Sequence, residues 1–318
     1  MKWEKLGKIF DPSQFSLGNG YNIFAKSPQA LVFKDFVRIY FCAQKLTEDG
    51  KYLSCPHYVD FDKTLQSILD VSAAPVIELG GMGFFDEHGI FPINVLRCDE
   101  RILAFTTGWS RRAEVSIEME IGLAESFDDG VTFNKIGLGG PVMAPTLSEP
   151  VLVGDAFVRF CAGTFHMWYI FGSQWQRATQ AAEPDRFYRI AYASSSDGIN
   201  WRRDGRYIIE TKLENECQAL PTVFMRGGRH HMMFCYRDAF DFRGNRDKAY
   251  RLGYAYSNDG YTWMRNDDEV GIDLSFGDWD SEMMCYPHVF EVDGSHFLLY
   301  NGNEFGKYGF GAAKLVNL

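Results

Sequence analysis

Glu87, Glu216 and Glu282 each stand five residues before a proline that opens a short apolar run, at Pro92, Pro221 and Pro287. Glu149 stands six residues before Asp155 in LVGDAFVRF, and Asp86 holds the same offset from Pro92. Carboxylates that recur at one register of a repeat can converge on a single funnel. Paired carboxylates are what glycosidic chemistry needs. One acid, its pKa raised by apolar walls or a like charge, protonates the departing oxygen, and a second carboxylate activates water or attacks directly. On this reading Glu149, Glu216, Glu282 and Asp86 are candidate catalytic groups, with Glu87 beside them as a binding group.

Other residues assigned to the same funnel suit sugar recognition. Trp109-Ser110-Arg111-Arg112, Gln174-Trp175-Gln176-Arg177, Arg237-Asp238 and Asn301-Gly302-Asn303-Glu304 all follow the second apolar strand of a repeat. Indole faces suit sugar C–H faces, while Arg, Asn and Gln suit hydroxyls or anionic groups. Trp109, Arg111, Trp175, Arg237, Asp238 and Asn301 are therefore candidate binding residues. His88 follows two acids and precedes Gly89, which fits a pocket position, and His288 directly follows Pro287, placing it at the axis or in the sheet. Asp155 is itself the anchor of the third repeat and joins the binding set. No HExxH, paired His/Cys spacing or EF-hand loop is present, so no metal ligands are assigned and no cofactor is expected.

The elements that must position these groups are written in the spacing of the anchors. Pro28, Pro92, Asp155, Pro221 and Pro287 follow one another at intervals of 64, 63, 66 and 66 residues. Each opens a β-branched or aromatic run, and a second apolar strand follows: VRIYFCA, RILAFTTGW, FHMWYIFGS, HHMMFCYRD and HFLLYNGN. A strand-filled period of this size is the signature of radially repeated β-sheets. The expectation is an all-β fold, a five-bladed β-propeller with four-stranded antiparallel blades, in one domain over residues 1–318. GFGAAKLVNL supplies only a third strand to the last blade, so KWEKLGKIF from the N-terminus is expected to complete it and remove the open edge. Asp129, Asp197 and Asp259 each precede a glycine and stand four before an aromatic. These read as hairpin turns on the face opposite the chemistry.

Bulk composition excludes some partners. Lys and Arg number 32 against 42 Asp and Glu, a formal charge of −10, with no concentrated basic cluster. That argues against nucleic acid or an anionic membrane surface. No window approaches a membrane span of about 18 apolar residues, so membrane insertion is not expected. The seven cysteines include no CxxC pair. Cys42, Cys161 and Cys235 read as small hydrophobes within strands, and a reduced, cytoplasmic protein is expected. The segment 174–187 reads as a long exposed loop that caps the funnel or contacts a neighbour. Oligomeric state is left open.

MKWEKLGKIFDP, RIYFCAQ, RIAYASSSDGINWRRDG, YRLGYAYSNDGYTW and DEVGIDLSFGDWDSEMMCYPHVF followed by LLYNGNEFGKYGFG resemble the five-bladed glycosidase superfamily. Glycoside hydrolase families 43, 32 and 130 belong to it, and the likeness is strongest to glycosidase-like proteins of bacterial polysaccharide biosynthesis clusters. The resemblance spans essentially the whole chain. It implies a glycoside hydrolase acting on a glycan or glycoconjugate. Family 43 enzymes place an Asp base on the first blade, an Asp modulator on the second and a Glu acid on the third. By position the modulator falls to Asp86 or Glu87 and the acid to Glu149. The first blade departs, because Asn19, Asn22 and Lys26 stand where the base belongs, and Glu216 or Glu282 would substitute. The family 130 likeness implies an alternative, transfer to phosphate held by Arg111, Arg112 and Arg237. A non-catalytic glycan-binding propeller is the third reading.

Overall fold

The computed structural model describes residues 1–316. The chain is all-β, and its strands run in four-stranded antiparallel units, numbered in chain order as I to V. Unit I comprises Ile23–Val32, Val37–Leu46, Tyr52–Phe61 and Ile68–Val71; unit II comprises Gly89–Cys98, Arg101–Arg111, Ile117–Ser126 and Asn134–Lys135. A single parallel pairing, Ser54 with Gly89, joins these two into one larger sheet. Unit III holds Leu152–Cys161, Thr164–Gln176, Asp185–Ser195 and Arg202–Tyr207. Unit IV holds Glu216–Arg226, Arg229–Asp238, Arg251–Ser257 and Met264–Arg265. Unit V takes Cys285–Val292, Ser295–Asn301 and Phe310–Leu315 from the C-terminal end and Trp3–Phe10 from the N-terminal end. The pairing of Trp3 with Leu315 through Phe10 with Phe310 makes that N-terminal strand the outer one, as the sequence expects. Among the described residues no helix is long and apolar enough to cross a membrane.

The first strands of the units pack on one another in cyclic order, I on II, II on III, III on IV, IV on V and V on I. Each of these inner strands breaks register at its anchor. The skipped residues there are 27–28, 91–92, 155–156, 220–221 and 286–287. These are β-bulges, and every sequence anchor lies in one. Proline has no N–H to give a ladder, so within a sheet it is confined to edges and bulges. Four bulges carry a left-handed residue, at Ser27, Asp155, Leu220 and Tyr286, with φ of 54°, 53°, 47° and 58°. For Leu and Tyr that conformation is costly and persists only where the surroundings hold it.

Neighbouring units supply the holding contacts. Ser27 N–H donates to Asn301 Oδ1 of unit V at 2.7 Å, and Asp155 N–H donates to Thr107 Oγ1 of unit II at 2.8 Å. Tyr286 N–H donates to Cys235 Sγ of unit IV at 3.4 Å. Leu220 N–H donates to Asp155 Oδ2 at 3.2 Å, so a carboxylate from one bulge fastens the next.

A second repeated device fixes the outer strands, and it corrects the sequence reading. Asp86 pairs with Lys135 at 2.5 Å, Glu149 with Arg203 at 2.6 Å, Glu216 with Arg265 at 2.6 Å and Asp280 with Lys5 at 2.6 Å. In every case the carboxylate precedes or begins the inner strand, and the cation lies on the outer strand of the same unit. All four carboxylate side chains are fully shielded from solvent. Tyr169 and Tyr300 donate to Glu149 and Asp280 at 2.7 and 3.1 Å, and Gln218 donates to Glu216 at 2.8 Å. The recurrence of Asp86, Glu149 and Glu216 five or six residues before an anchor thus records a latch across the sheet, in units where two of the outer strands are only two residues long. Among the described residues unit I has no such pair; instead the buried His57 ring lies 3.2 Å from Leu17 O and 3.1 Å from Cys55 O.

The Asp-Gly turns are structural, with one shift of register. Asp197 accepts from the Ile199 and Asn200 N–H groups, and Asp259 from those of Tyr261 and Thr262. In unit II the equivalent role belongs to Asp128, which bonds Ser126 and Thr132, while Asp129 is an extra left-handed residue. Of the cysteines, Cys42 and Cys235 are buried but Cys161 is exposed at a strand end.

Removing the cation of one latch while its carboxylate stays buried should cost about 3–5 kcal/mol. Arg203→Met is expected to lower stability by that amount in urea unfolding. Adding Glu149→Gln, which keeps an acceptor for Tyr169, should restore a large part of the loss. Equal stability of the single and double variants would remove the latch.

Candidate active site

A cavity of about 350 Å³ lies at the end of the inner strands where they begin. One residue at or next to each bulge lines it: Lys26, Phe91, Asp155, Ala219 and Tyr286. The bulges therefore position the cavity floor. The walls come from the ends of second strands and the loops after them, including Trp109, Arg237, Phe242, Arg243 and Phe305, and from third strands, including Arg186, Tyr188 and Met119. The segment read as a loop over 174–187 is shorter than expected. Strand pairing continues through Trp175 with Arg186 and Gln176 with Asp185, and that extension carries Arg186 to the cavity.

Among the described residues Asp155 is the only carboxylate that lines the cavity. It is 4 % exposed, and burial raises its pKa to about 7 against the pull of the Leu220 N–H and the Arg186 charge. Asp tolerates its left-handed backbone better than most residues, which suits it to the bulge. Such a carboxyl is half protonated near neutrality, where a group can both give and take a proton.

Cations outnumber it. Arg237 is 2 % exposed and donates to the hydroxyls of Tyr188 and Tyr250 at 3.1 and 3.3 Å and to the carbonyls of Asp238 and Ala239 at 2.8 and 3.0 Å. The two phenols lie 3.0 Å apart, oxygen to oxygen. The Arg237 guanidinium lies 3.6 Å from the Phe242 ring centroid, and Arg243 lies 4.2 Å from it. Burial, then the charges of Arg237 and Arg186, push the Arg243 pKa below its ordinary value. Lys26 Nζ sits 4.1 Å from the Phe24 ring centroid, and burial lowers its pKa to about 8.

Of the residues singled out in the sequence, Asp155, Trp109 and Arg237 line this cavity. The four proposed catalytic carboxylates do not. Asp86, Glu149 and Glu216 are held in the latches, and Glu282 lies outside, with its backbone tied to Asn303 and Arg251. Glu87 accepts from Gly83 N–H at 2.9 Å outside the cavity. His88 and Arg111 flank the Trp109 ring at 6.2 and 5.6 Å, so they position it without lining the cavity. Gly89 belongs to the same support, since any Cβ there would strike the indole. Trp175 packs at 5.9 Å from Arg186, and Asp238 caps Phe240 N–H at 2.9 Å. Asn301 spends its side chain on Ser27, Ala25 and Gly309. His288 is buried near the far ends of the inner strands beside Phe157 and Phe290, where burial lowers its pKa to about 4.

Lys26, Phe91, Arg186, Tyr188, Arg243, Tyr250 and Tyr286 were not among the expected site residues. Their signal was partly present, because three of them lie within two residues of an anchor. Asp86, Glu149 and Glu216, five or six residues upstream of the anchors, belong to the latches instead.

No family model matches the chain. Two curated Mycobacterium tuberculosis proteins, "Uncharacterized protein MT1551" of strain CDC 1551 / Oshkosh and "Uncharacterized protein Rv1502" of strain ATCC 25618 / H37Rv, are each 33 % identical over 324 residues, covering 100 % of both chains. Among solved structures, a complex of BT0996 with RGII superposes with a TM-score of 0.73 at 15 % identity, covering 99 % of this chain and 93 % of that one. A thermostable family-43 glycoside hydrolase gives 0.67 at 13 % identity, covering 95 % and 92 %. A protein from work on the family 130 mannoside phosphorylases and glycoside hydrolases gives 0.69 at 12 %, covering 98 % and 93 %. At these identities the structural likeness is one of fold.

The neutral Asp155 acid is the form the fold prefers. Its stabilisation is complete below the carboxyl's ordinary value of 3.8 and is lost as pH rises through about 7. Asp155→Asn cannot ionise and keeps an acceptor for Leu220 N–H. Its stability relative to wild type should therefore rise by about 3 kcal/mol between about pH 5 and pH 8.5 in urea unfolding. A difference independent of pH would place Asp155 in a wetter setting than this one.

Proposed function

Because the chain belongs to one family with the mycobacterial proteins Rv1502 and MT1551 and shares the glycosidase-like propeller scaffold, we propose that it is a sugar-active enzyme that breaks a glycosidic bond in the axial cavity. Units I to V are taken as five blades of a single-domain propeller around that cavity. The observation that carries the reading is Asp155, a lone buried carboxyl among aromatic walls with a pKa of about 7.

In this mechanism Asp155 gives its proton to the glycosidic oxygen as the bond to the anomeric carbon breaks, and the bonding pair leaves with that oxygen. Aromatic faces from Trp109 and Phe91 supply platforms for a sugar ring. Two-carboxylate hydrolysis, the leading expectation from sequence, is disfavoured because among the described residues no second carboxylate lines the cavity to activate water. Transfer to an acceptor that arrives with its own negative oxygen, such as phosphate, needs no such base, and this alternative from the sequence reading gains support. A carbohydrate or glycoconjugate is the proposed substrate, and a cytoplasmic location remains part of the proposal.

The test is turnover of a panel of alkyl glycosides and disaccharides, whose leaving oxygens must be protonated, with and without inorganic phosphate. Asp155→Asn should lower the rate by about 10²–10⁴-fold, while folded Glu149→Gln and Glu282→Gln should stay close to wild type. Full activity of Asp155→Asn, or loss confined to Glu282→Gln, would return the chemistry to the upstream glutamates. Sugar binding without any turnover would leave a glycan-binding propeller.

A further inference from the structure

We infer that the ligand of the axial cavity carries an oxyanion, and that Arg186, Arg237, Arg243 and Lys26 are its receptor. This deepens the reading above and rests on the same cavity. Among the described residues none of these four cations is ion-paired, although the outer-strand cations Arg203 and Arg265 are. Arg237 is the clearest case. It is almost fully buried, and every hydrogen bond it makes goes to a neutral phenol or carbonyl oxygen. Burying a guanidinium against neutral dipoles alone is unfavourable, and an anion arriving in the cavity relieves that cost.

The crowding points the same way. Arg243 packs against the Phe242 face and is repelled by Arg237 and Arg186. Lys26 adds a fourth positive group, repelled in turn by Arg243. Among the described residues the one negative group lining the cavity, Asp155, is half neutral near pH 7. This concentration of positive charge stands in a chain whose formal charge is −10, so it cannot follow from composition. Guanidinium groups present paired N–H donors that match the oxygens of a phosphate or a carboxylate. The cavity, at about 350 Å³, lies at the small end of ligand pockets, about 300–1,000 Å³. It therefore fits a compact charged sugar or a sugar with a separate anion.

Isothermal titration of the intact protein tests the inference without turnover. The probes are inorganic phosphate, glucose 1-phosphate, glucuronate and glucose, at about 50 mM salt to limit screening. At least one oxyanion should bind about tenfold or more tighter than glucose, and Arg243→Gln and Arg186→Gln should each weaken it by about tenfold. Inorganic phosphate binding as well as glucose 1-phosphate would make the oxyanion a separate co-substrate; binding of only the charged sugars would place it on the sugar. Equal affinity for glucose and the oxyanions overturns the inference. So does an anion affinity unchanged in both variants, or no heat from any anion up to about 10 mM. Failure of the catalytic reading looks different: oxyanions bind, and bind Asp155→Asn at least as tightly, yet no glycoside is cleaved. Cleavage of neutral glycosides by a protein that binds no anion gives the opposite result.

Discussion

The bulge shared by the inner strands is the constraint on which both scaffold and site depend. A regular strand would carry its ladder unbroken past the axis and leave no side chain free to turn into the cavity. The skipped pair in each inner strand releases backbone groups that must find partners, and in units I, III, IV and V the neighbouring unit supplies one through Asn301, Thr107, Asp155 and Cys235. Packing the units on one another and shaping the cavity are therefore one act. Asp155 belongs to both, since one of its oxygens fastens Leu220 while its carboxyl lines the cavity.

Charge is divided between two regions by the same architecture. Asp86, Glu149, Glu216 and Asp280 at the crossings are consumed in tight pairs with outer-strand cations, so they stiffen the sheets and are not presented to a ligand. At the axis the balance reverses, with unpaired cations around one carboxyl. Removing water from both regions makes each arrangement matter more than its surface equivalent would, because buried charges are poorly screened. The outcome is an acidic protein with a basic interior pocket.

Much of the scaffold was legible in the chain. The anchor spacing, the second strands, and the N-terminal strand as partner of Phe310–Leu315 were readable from the apolar pattern. The site was legible only in part, for a physical reason. A repeated carboxylate offset satisfies equally well a latch inside each sheet and a convergence between sheets, and sequence spacing does not record which way a side chain turns. The basic strand partners Lys135, Arg203, Arg265 and Lys5 were the missing half of that pattern. Arg186 could not be placed because the hairpin extension that carries it, Gln174–Gln176 against Asp185–Phe187, reads as a polar loop.

The strand shared by the two ends of the chain bears on biosynthesis. Trp3 is synthesised long before its partner Leu315. Until then the N-terminal strand has no sheet to join. The units between them can pair locally as they appear, but unit V is completed only when Phe310–Leu315 has been made. Through that interval Trp3–Phe10 carries an unpaired strand edge, the kind of edge most exposed to aggregation and to capture by chaperones.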